Sequence, residues 1–264
     1  MMQTQRTQRL NRIINGNKST AVYPFLVSLW IRSPSILIHC GGTLIAPNVI
    51  LTAAHCFYDP RRNPLQAPIV QAFFNTLKTN KGDNRITRKI VIHRQFQNLP
   101  HTLNNDIALI FFDKPVPYQP VNLPLDINSN AYPGDVINIV GWGATERSSR
   151  GTSDLMQAKL TLANRYEMPC KRDENMNTKL CAITGMINCM GGGQGDSGGP
   201  ALIRPVGASN WIQVGVVSAG INIGENMKMN IFTDVSAFLP WIINVIQEVL
   251  SSDPSILPPN VITS

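Results

Sequence analysis

Short runs rich in β-branched and aromatic residues recur along this chain, and Gly, Pro and Asn break them apart. Val22 to Ile31, Val49 to Thr52 and Val136 to Val140 are the clearest. Runs of that length, bounded by turn-forming residues, predict strands, and their steady recurrence predicts an all-β architecture. The pattern changes once. From Ala237 to Leu250 the apolar residues fall at helical spacing, so a helix is expected near the C-terminal end. No stretch is long and apolar enough to span a membrane as a helix, so no transmembrane segment is expected. No internal repeat is visible. With 264 residues, 43% of them hydrophobic, the chain can bury the core of one large domain or two small ones.

One segment fits neither pattern. Gly195-Asp196-Ser197-Gly198-Gly199-Pro200 sets a hydroxyl among glycines, next to a carboxylate. Glycine permits sharp turns and close backbone approach, so N–H groups here can converge on something small. Ser197 is a candidate nucleophile, and the N–H groups of Gly195 and Ser197 are candidate oxyanion donors. A serine hydroxyl needs a base, most often histidine. Of the four histidines, His39, His55, His93 and His101, His55 has the most telling context: Leu51-Thr52-Ala53-Ala54-His55-Cys56, where small residues allow tight packing. Asp106 opens the apolar run Ile107-Ala108-Leu109-Ile110, which carries its carboxylate inward. A buried carboxylate is costly unless paired, so Asp106 is the candidate partner of the base.

These segments resemble the chymotrypsin-type (trypsin-like) serine endopeptidases. The likeness is carried by Ile13-Ile14-Asn15-Gly16, Cys40-Gly41-Gly42-Thr43-Leu44-Ile45, Thr52-Ala53-Ala54-His55-Cys56, Thr102 to Leu109, Gly141-Trp142-Gly143, Gly195 to Pro200 and Val235 to Ile242. It implies two six-stranded antiparallel β-barrels, at about residues 13–118 and 125–234, with a cleft between them. A C-terminal helix at about 235–250 would follow, then a flexible Pro- and Ser-rich tail over 251–264. The resemblance also assigns roles. His55 is general base and acid, Asp106 orients it, and Ser197 attacks the scissile carbonyl. Ser218 supports the buried aspartate, and Ser218 to Gly220 pair with the substrate backbone. Residues 1–12 form a pro-segment. Cleavage after Arg12 frees the amine of Ile13 to pair with Asp196, so the intact chain is expected to be nearly inactive.

Two disulfides are implied, Cys40–Cys56 and Cys170–Cys181, and with them an oxidising compartment. Cys189 is left over; a buried inert thiol, a free thiol and an intermolecular bridge all fit the sequence. The first twelve residues lack the apolar core of a signal peptide, so the expectation of a secreted, extracellular protein rests on the disulfides and the resemblance. Asn17-Lys18-Ser19 is a glycosylation sequon.

The substrate pocket departs from the family. Gly191 stands where trypsin-like specificity needs a carboxylate, followed by Gly192 and Gly193. Asn230 stands where a glycine is common, and its amide would narrow the pocket, while Gly220 leaves the entrance open. Cleavage after a neutral residue, not Arg or Lys, is the expectation. Ala219 replaces the family's usual aromatic residue, which implies either weaker binding there or a preference for bulkier substrate residues. The altered pocket also keeps two alternatives in view: a catalytically silent binding protein and a cascade zymogen with a narrow protein substrate.

The net charge of +7 is scattered, with small clusters at Arg61-Arg62 and from Lys78 to Lys89. Basic and aromatic residues do not interleave, so nucleic acid is not an expected partner. No Cys or His spacing suits zinc, and the loop Lys78 to Arg85 offers only Asp83 as an acid, so neither metal nor cofactor is expected. Expected partners are peptide or protein substrates, protein protease inhibitors and an activating protease.

Overall fold

The computed structural model describes residues 17–100, 102–125, 131–143, 154–172, 175–184, 196–224, 227–253 and 256. Sixteen strands lie among these residues. In chain order they are β1 (Asn17–Lys18), β2 (Leu26–Arg32), β3 (Leu37–Ala46), β4 (Val49–Thr52), β5 (Ile69–Phe74), β6 (Asp83–Ile86), β7 (Lys89–Ile92), β8 (Gln97–Asn98), β9 (Leu103–Asn104) and β10 (Ala108–Phe111). The second half adds β11 (Val136–Gly141), β12 (Met156–Thr161), β13 (Lys179–Thr184), β14 (Pro200–Ile203), β15 (Ile212–Gly224) and β16 (Met227–Asp234). The one α-helix among the described residues, α1 (Leu239–Ser252), follows them.

The strands form two antiparallel sheets and a short β8–β9 hairpin. The first sheet runs β6-β5-β2-β3-β4-β10-β7, and the second runs β1-β12-β11-β14-β15-β16-β13. The all-β class read from the sequence is the class observed. The strand count differs from the expected six, for a reason visible in each sheet. In the first, β6 and β7 sit at opposite ends of the order yet are adjacent in the chain. At Thr87, between them, the N–H donates to Val70 O at 3.0 Å, so one bent strand curls the sheet back on itself. In the second, a bridge from Leu162 to Ala182 and the bond Ala163 N–H to Cys181 O, 2.8 Å, bring the β12 end to β13. β1 is the added strand: this N-terminal piece joins the second sheet, pairing with β12 through Asn17–Gln157 and Lys18–Met156, rather than the first as expected.

Burial follows from this curling. β4 and β10, flanked on both sides in the middle of the first sheet, are buried at every position, whereas β6 is exposed at every position. A strand covered on both faces cannot alternate apolar and polar residues, which is why Val49-Ile50-Leu51 and Ala108 to Phe111 read as continuous apolar runs. α1 contributes Leu239, Ile242, Val245 and Val249 to the same core. Those positions, three or four apart, share one helix face. Each such side chain is worth roughly 1.5–3 kcal/mol when fully buried. The helix begins four residues later than expected, after a tight turn at Ser236–Phe238, with Pro240 in its first turn where a missing N–H costs nothing. It also runs two residues into the stretch expected to be a flexible tail, and Ile256 beyond it is buried in the core.

Candidate active site

Three contacts converge on the Asp106 carboxylate. Asn105 before it takes the left-handed conformation (φ 52°), which Asn tolerates better than most residues. This turn drives Asp106 inward, where it is 1% exposed. Its Oδ2 accepts from Ser218 Oγ–H at 2.6 Å and lies 2.7 Å from His55 Nδ1. Its Oδ1 accepts the backbone N–H of His55 at 2.9 Å. Its own carbonyl accepts the hydroxyl of Thr233 at 2.8 Å. The carboxylate therefore fixes the imidazole twice, by ring and by backbone, and the acceptor at Nδ1 places the proton there and leaves Nε2 for the cleft.

The electrostatics follow from the geometry. Burial disfavours the charged imidazole, but the charge and hydrogen bond of Asp106 outweigh it, so the His55 pKa stands above its ordinary 6.5. Burial likewise opposes the Asp106 carboxylate, and the facing His55 with the Ser218 hydroxyl overcomes that and holds its pKa below the usual carboxylate value. His55 sits on a one-turn 3-10 helix, Ala54–Phe57, directly after β4, and the Cys40–Cys56 disulfide ties that turn to β3. A second disulfide joins Cys170 to Cys181. Both pairings are those the resemblance implied.

Ser197 lines the same cleft as His55, in the turn that leads into β14. Gly41 N–H donates to Ser197 O at 2.7 Å, and Gly198 N–H donates to Val217 O at 2.8 Å. Gly198 has φ +79°, and a side chain there would begin 2.2 Å from Thr52 Oγ1, so only glycine fits. Asp196 is buried, and its Oδ1 accepts Gly143 N–H at 2.7 Å. A cleft of about 1460 Å³ brings His55, Ser197, Ala219 and Gly220 together along its walls. Asn230 is buried behind the β15 edge and donates from Nδ2 to Ala182 O at 3.4 Å. Arg12, Ile13, Cys189, Gly191, Gly192, Gly193 and Gly195 lie outside the described residues.

Several contributors carry no sequence signal of their own. Thr233 holds a carbonyl 127 positions away, and Gly143 holds Asp196 across 53. The paired glycines of Gly141-Trp142-Gly143 are the one clue: each would place a side chain 2.3 Å from an Asp196 carboxylate oxygen. Lys228 is the other surprise. Its Cε and Nζ lie 2.4 and 2.9 Å from where a side chain on Gly220 would begin, so the entrance expected to be open is partly filled.

A match to the trypsin family model covers residues 13–242. The chain belongs to the trypsin family. It carries a serine-type endopeptidase domain, and it shares with the family its two-sheet architecture. It is 28% identical over 244 residues to the "Suppressor of tumorigenicity 14 protein homolog" of Bos taurus, a match that covers 89% of this chain and 28% of that protein. It is 29% identical over 243 residues to "Transmembrane protease serine 7" of Rattus norvegicus, covering 88% of this chain and 28% of that protein. The chain thus spans little more than a quarter of these relatives' length. The rat protein is named as a transmembrane protease, and this corrects the expectation of a secreted protein: the disulfides establish an oxidising environment, which membrane-anchored proteases share, and do not distinguish the two. None of the described helices is long and apolar enough to cross a membrane.

Proposed function

We propose that this trypsin-family domain hydrolyses peptide bonds through His55, Asp106 and Ser197. The observation that carries the reading is the Asp106 carboxylate, which accepts from His55 Nδ1–H and from Ser218 at 2.7 and 2.6 Å beside a cleft that also holds Ser197. Ser197 Oγ attacks the substrate carbonyl carbon and gives its proton to His55 Nε2. Asp106 stabilises the imidazolium that results. The negative charge gathering on the carbonyl oxygen is taken up by the N–H groups of Gly195 and Ser197. His55 then protonates the leaving amine as the C–N bond breaks, leaving an acyl-enzyme. Water, deprotonated by His55, releases the acid and restores the serine.

Activation is part of the same proposal. Cleavage after Arg12 creates a charged amine on Ile13 that pairs with Asp196. Asp196 is buried, its Oδ1 accepts Gly143 N–H, and a cation beside a buried carboxylate stabilises it. The domain boundaries follow: a pro-segment over 1–12 and a peptidase domain over 13–250. The cleaved residue is non-basic, because the resemblance puts Gly191 where trypsin-like specificity needs a carboxylate. Substrate backbone pairs with Ser218 to Gly220 as an added strand. Ala219 leaves room beside that strand for a bulky substrate side chain.

The test uses a serine-directed phosphonate on the full chain, before and after limited trypsin treatment. Labelling at Ser197 that appears only after a new N-terminus at Ile13 supports both parts. Labelling of uncut chain at the same rate refutes the activation step. No labelling in either state refutes the hydrolase and leaves a binding protein.

A further inference from the structure

Asn17-Lys18-Ser19 is a motif that peptide hydrolysis does not use. No other asparagine in the chain has Ser or Thr two positions on. The structure treats its two reactive groups differently. Asn17 is exposed, on β1, the outermost strand of the second sheet. Ser19 is 1% exposed. Its N–H donates to Leu155 O at 2.8 Å. Its hydroxyl donates to Ala21 O at 2.9 Å and accepts Ala21 N–H at 3.3 Å. Between the two, the Lys18 ammonium pairs with Asp154 at 3.2 Å. Ser19 and Lys18 thus pin the segment to the start of β12, while Asn17 is left at the surface.

We propose that Asn17 carries an N-linked glycan, attached before this segment docks on the second sheet. The two disulfides place folding in a compartment where thiols are oxidised, such as the lumen of the endoplasmic reticulum. Asparagine sequons are modified in the same lumen. In the transfer, Asn17 Nδ2 attacks C1 of a lipid-linked oligosaccharide pyrophosphate. A C–N bond forms, the C1–O bond breaks and its electron pair leaves with the lipid pyrophosphate, and the amide gives up a proton to solvent. The transferase reads the sequon hydroxyl together with the amide. In the folded domain that hydroxyl is buried and bonded to Ala21, out of an enzyme's reach. The unfolded chain offers both groups. Once β1 pairs with β12, the serine is sealed and the amide stays at the surface, where a bulky polar group is tolerated. The sugar then shields a strand at the end of its sheet, a position that otherwise invites pairing with another chain.

The test expresses the full chain behind a secretory leader in cultured animal cells and digests it with peptide-N-glycosidase in heavy-oxygen water. The mass of one glycan should be lost, leaving a heavy-oxygen-labelled aspartate at position 17. Asn17→Gln should lose the glycan, and Ser19→Thr should keep it. Gly207→Asn supplies the control for passage through the lumen. It builds a second sequon with Ala208 and Ser209, on an exposed turn whose φ of +80° asparagine tolerates. Two glycans are expected on that variant. A glycan at position 207 alone overturns the proposal, as does one that survives in Asn17→Gln. The order of events is read with purified oligosaccharyltransferase and its lipid-linked donor. Folded chain with both bridges intact should take no glycan, whereas reduced and alkylated chain should be modified at Asn17. Equal transfer to both overturns the claim that modification comes before docking.

Discussion

Gly143→Ala places a methyl group where the structure has no room for one. The new carbon would lie 2.3, 2.4 and 2.6 Å from the three terminal atoms of the Asp196 side chain. All three distances are far inside contact, and the crowded group is a buried carboxylate one residue from Ser197. Either the Gly143 backbone or the carboxylate must withdraw, and the 2.7 Å N–H bond to Oδ1 goes with it. A hydrogen bond to a buried charge is worth about 1.5–3 kcal/mol. Overpacking adds about 1–3 kcal/mol. The expected loss of stability is thus about 2.5–6 kcal/mol in urea unfolding. Because Asp196 adjoins the N–H of Ser197, kcat should fall more than KM rises. Gly207→Ala is the control: its φ is +80° but nothing lies within 4 Å, so it carries only the strain of a left-handed alanine, about 1–2 kcal/mol. A Gly143→Ala protein within 1 kcal/mol of wild type and equally active would refute the claim that this glycine exists to hold Asp196.

On the proposed mechanism Ser197→Ala is expected to lower kcat by about 10⁶ in a peptide assay, since triad members act as a unit. With the His55 pKa raised by Asp106, kcat/KM should rise with pH along an acid limb whose midpoint lies above 6.5, because only neutral imidazole accepts the serine proton; Asp106→Asn should remove that elevation. His39 behaves oppositely. Burial lowers its pKa to about 4, so as pH falls from 6.5 toward 4 the unfolded chain takes up a proton that the folded one refuses. Stability present above pH 6.5 is lost over that window, by roughly 3 kcal/mol at its lower end, and His39→Gln should flatten that part of a urea-midpoint-against-pH curve. Replacing Cys40 and Cys56 by Ser should cost about 3 kcal/mol, read as a lowered urea midpoint, since the bridge closes a loop of sequence separation 16.

The all-β class, the terminal helix and the residues gathered at Asp106 were legible because each has a local cause. Alternation and turn residues mark strands. Asp106 heads an apolar run that must go inside. The glycines around Ser197 mark a turn that no side chain could enter. The illegible parts depend on distant partners. β1 joins the second sheet through pairing with residues near 157, and nothing in Asn17-Lys18 specifies that. Gly220 looked like an open gate because the sequence cannot say that Lys228, eight positions on, folds back over it. The curl at Thr87 was hidden because β6 and β7 look like separate short strands until Val70 is seen to accept from the residue between them.

Asp106 is gripped from both halves of the molecule: His55 reaches it from the end of β4, Ser218 from β15 and Thr233 from β16. Neither sheet, folded alone, would assemble this constellation. On the proposed mechanism, activity measures how well two lobes are seated on each other, and a lesion at their seam should silence the enzyme while each lobe keeps its own spectroscopic signature of order.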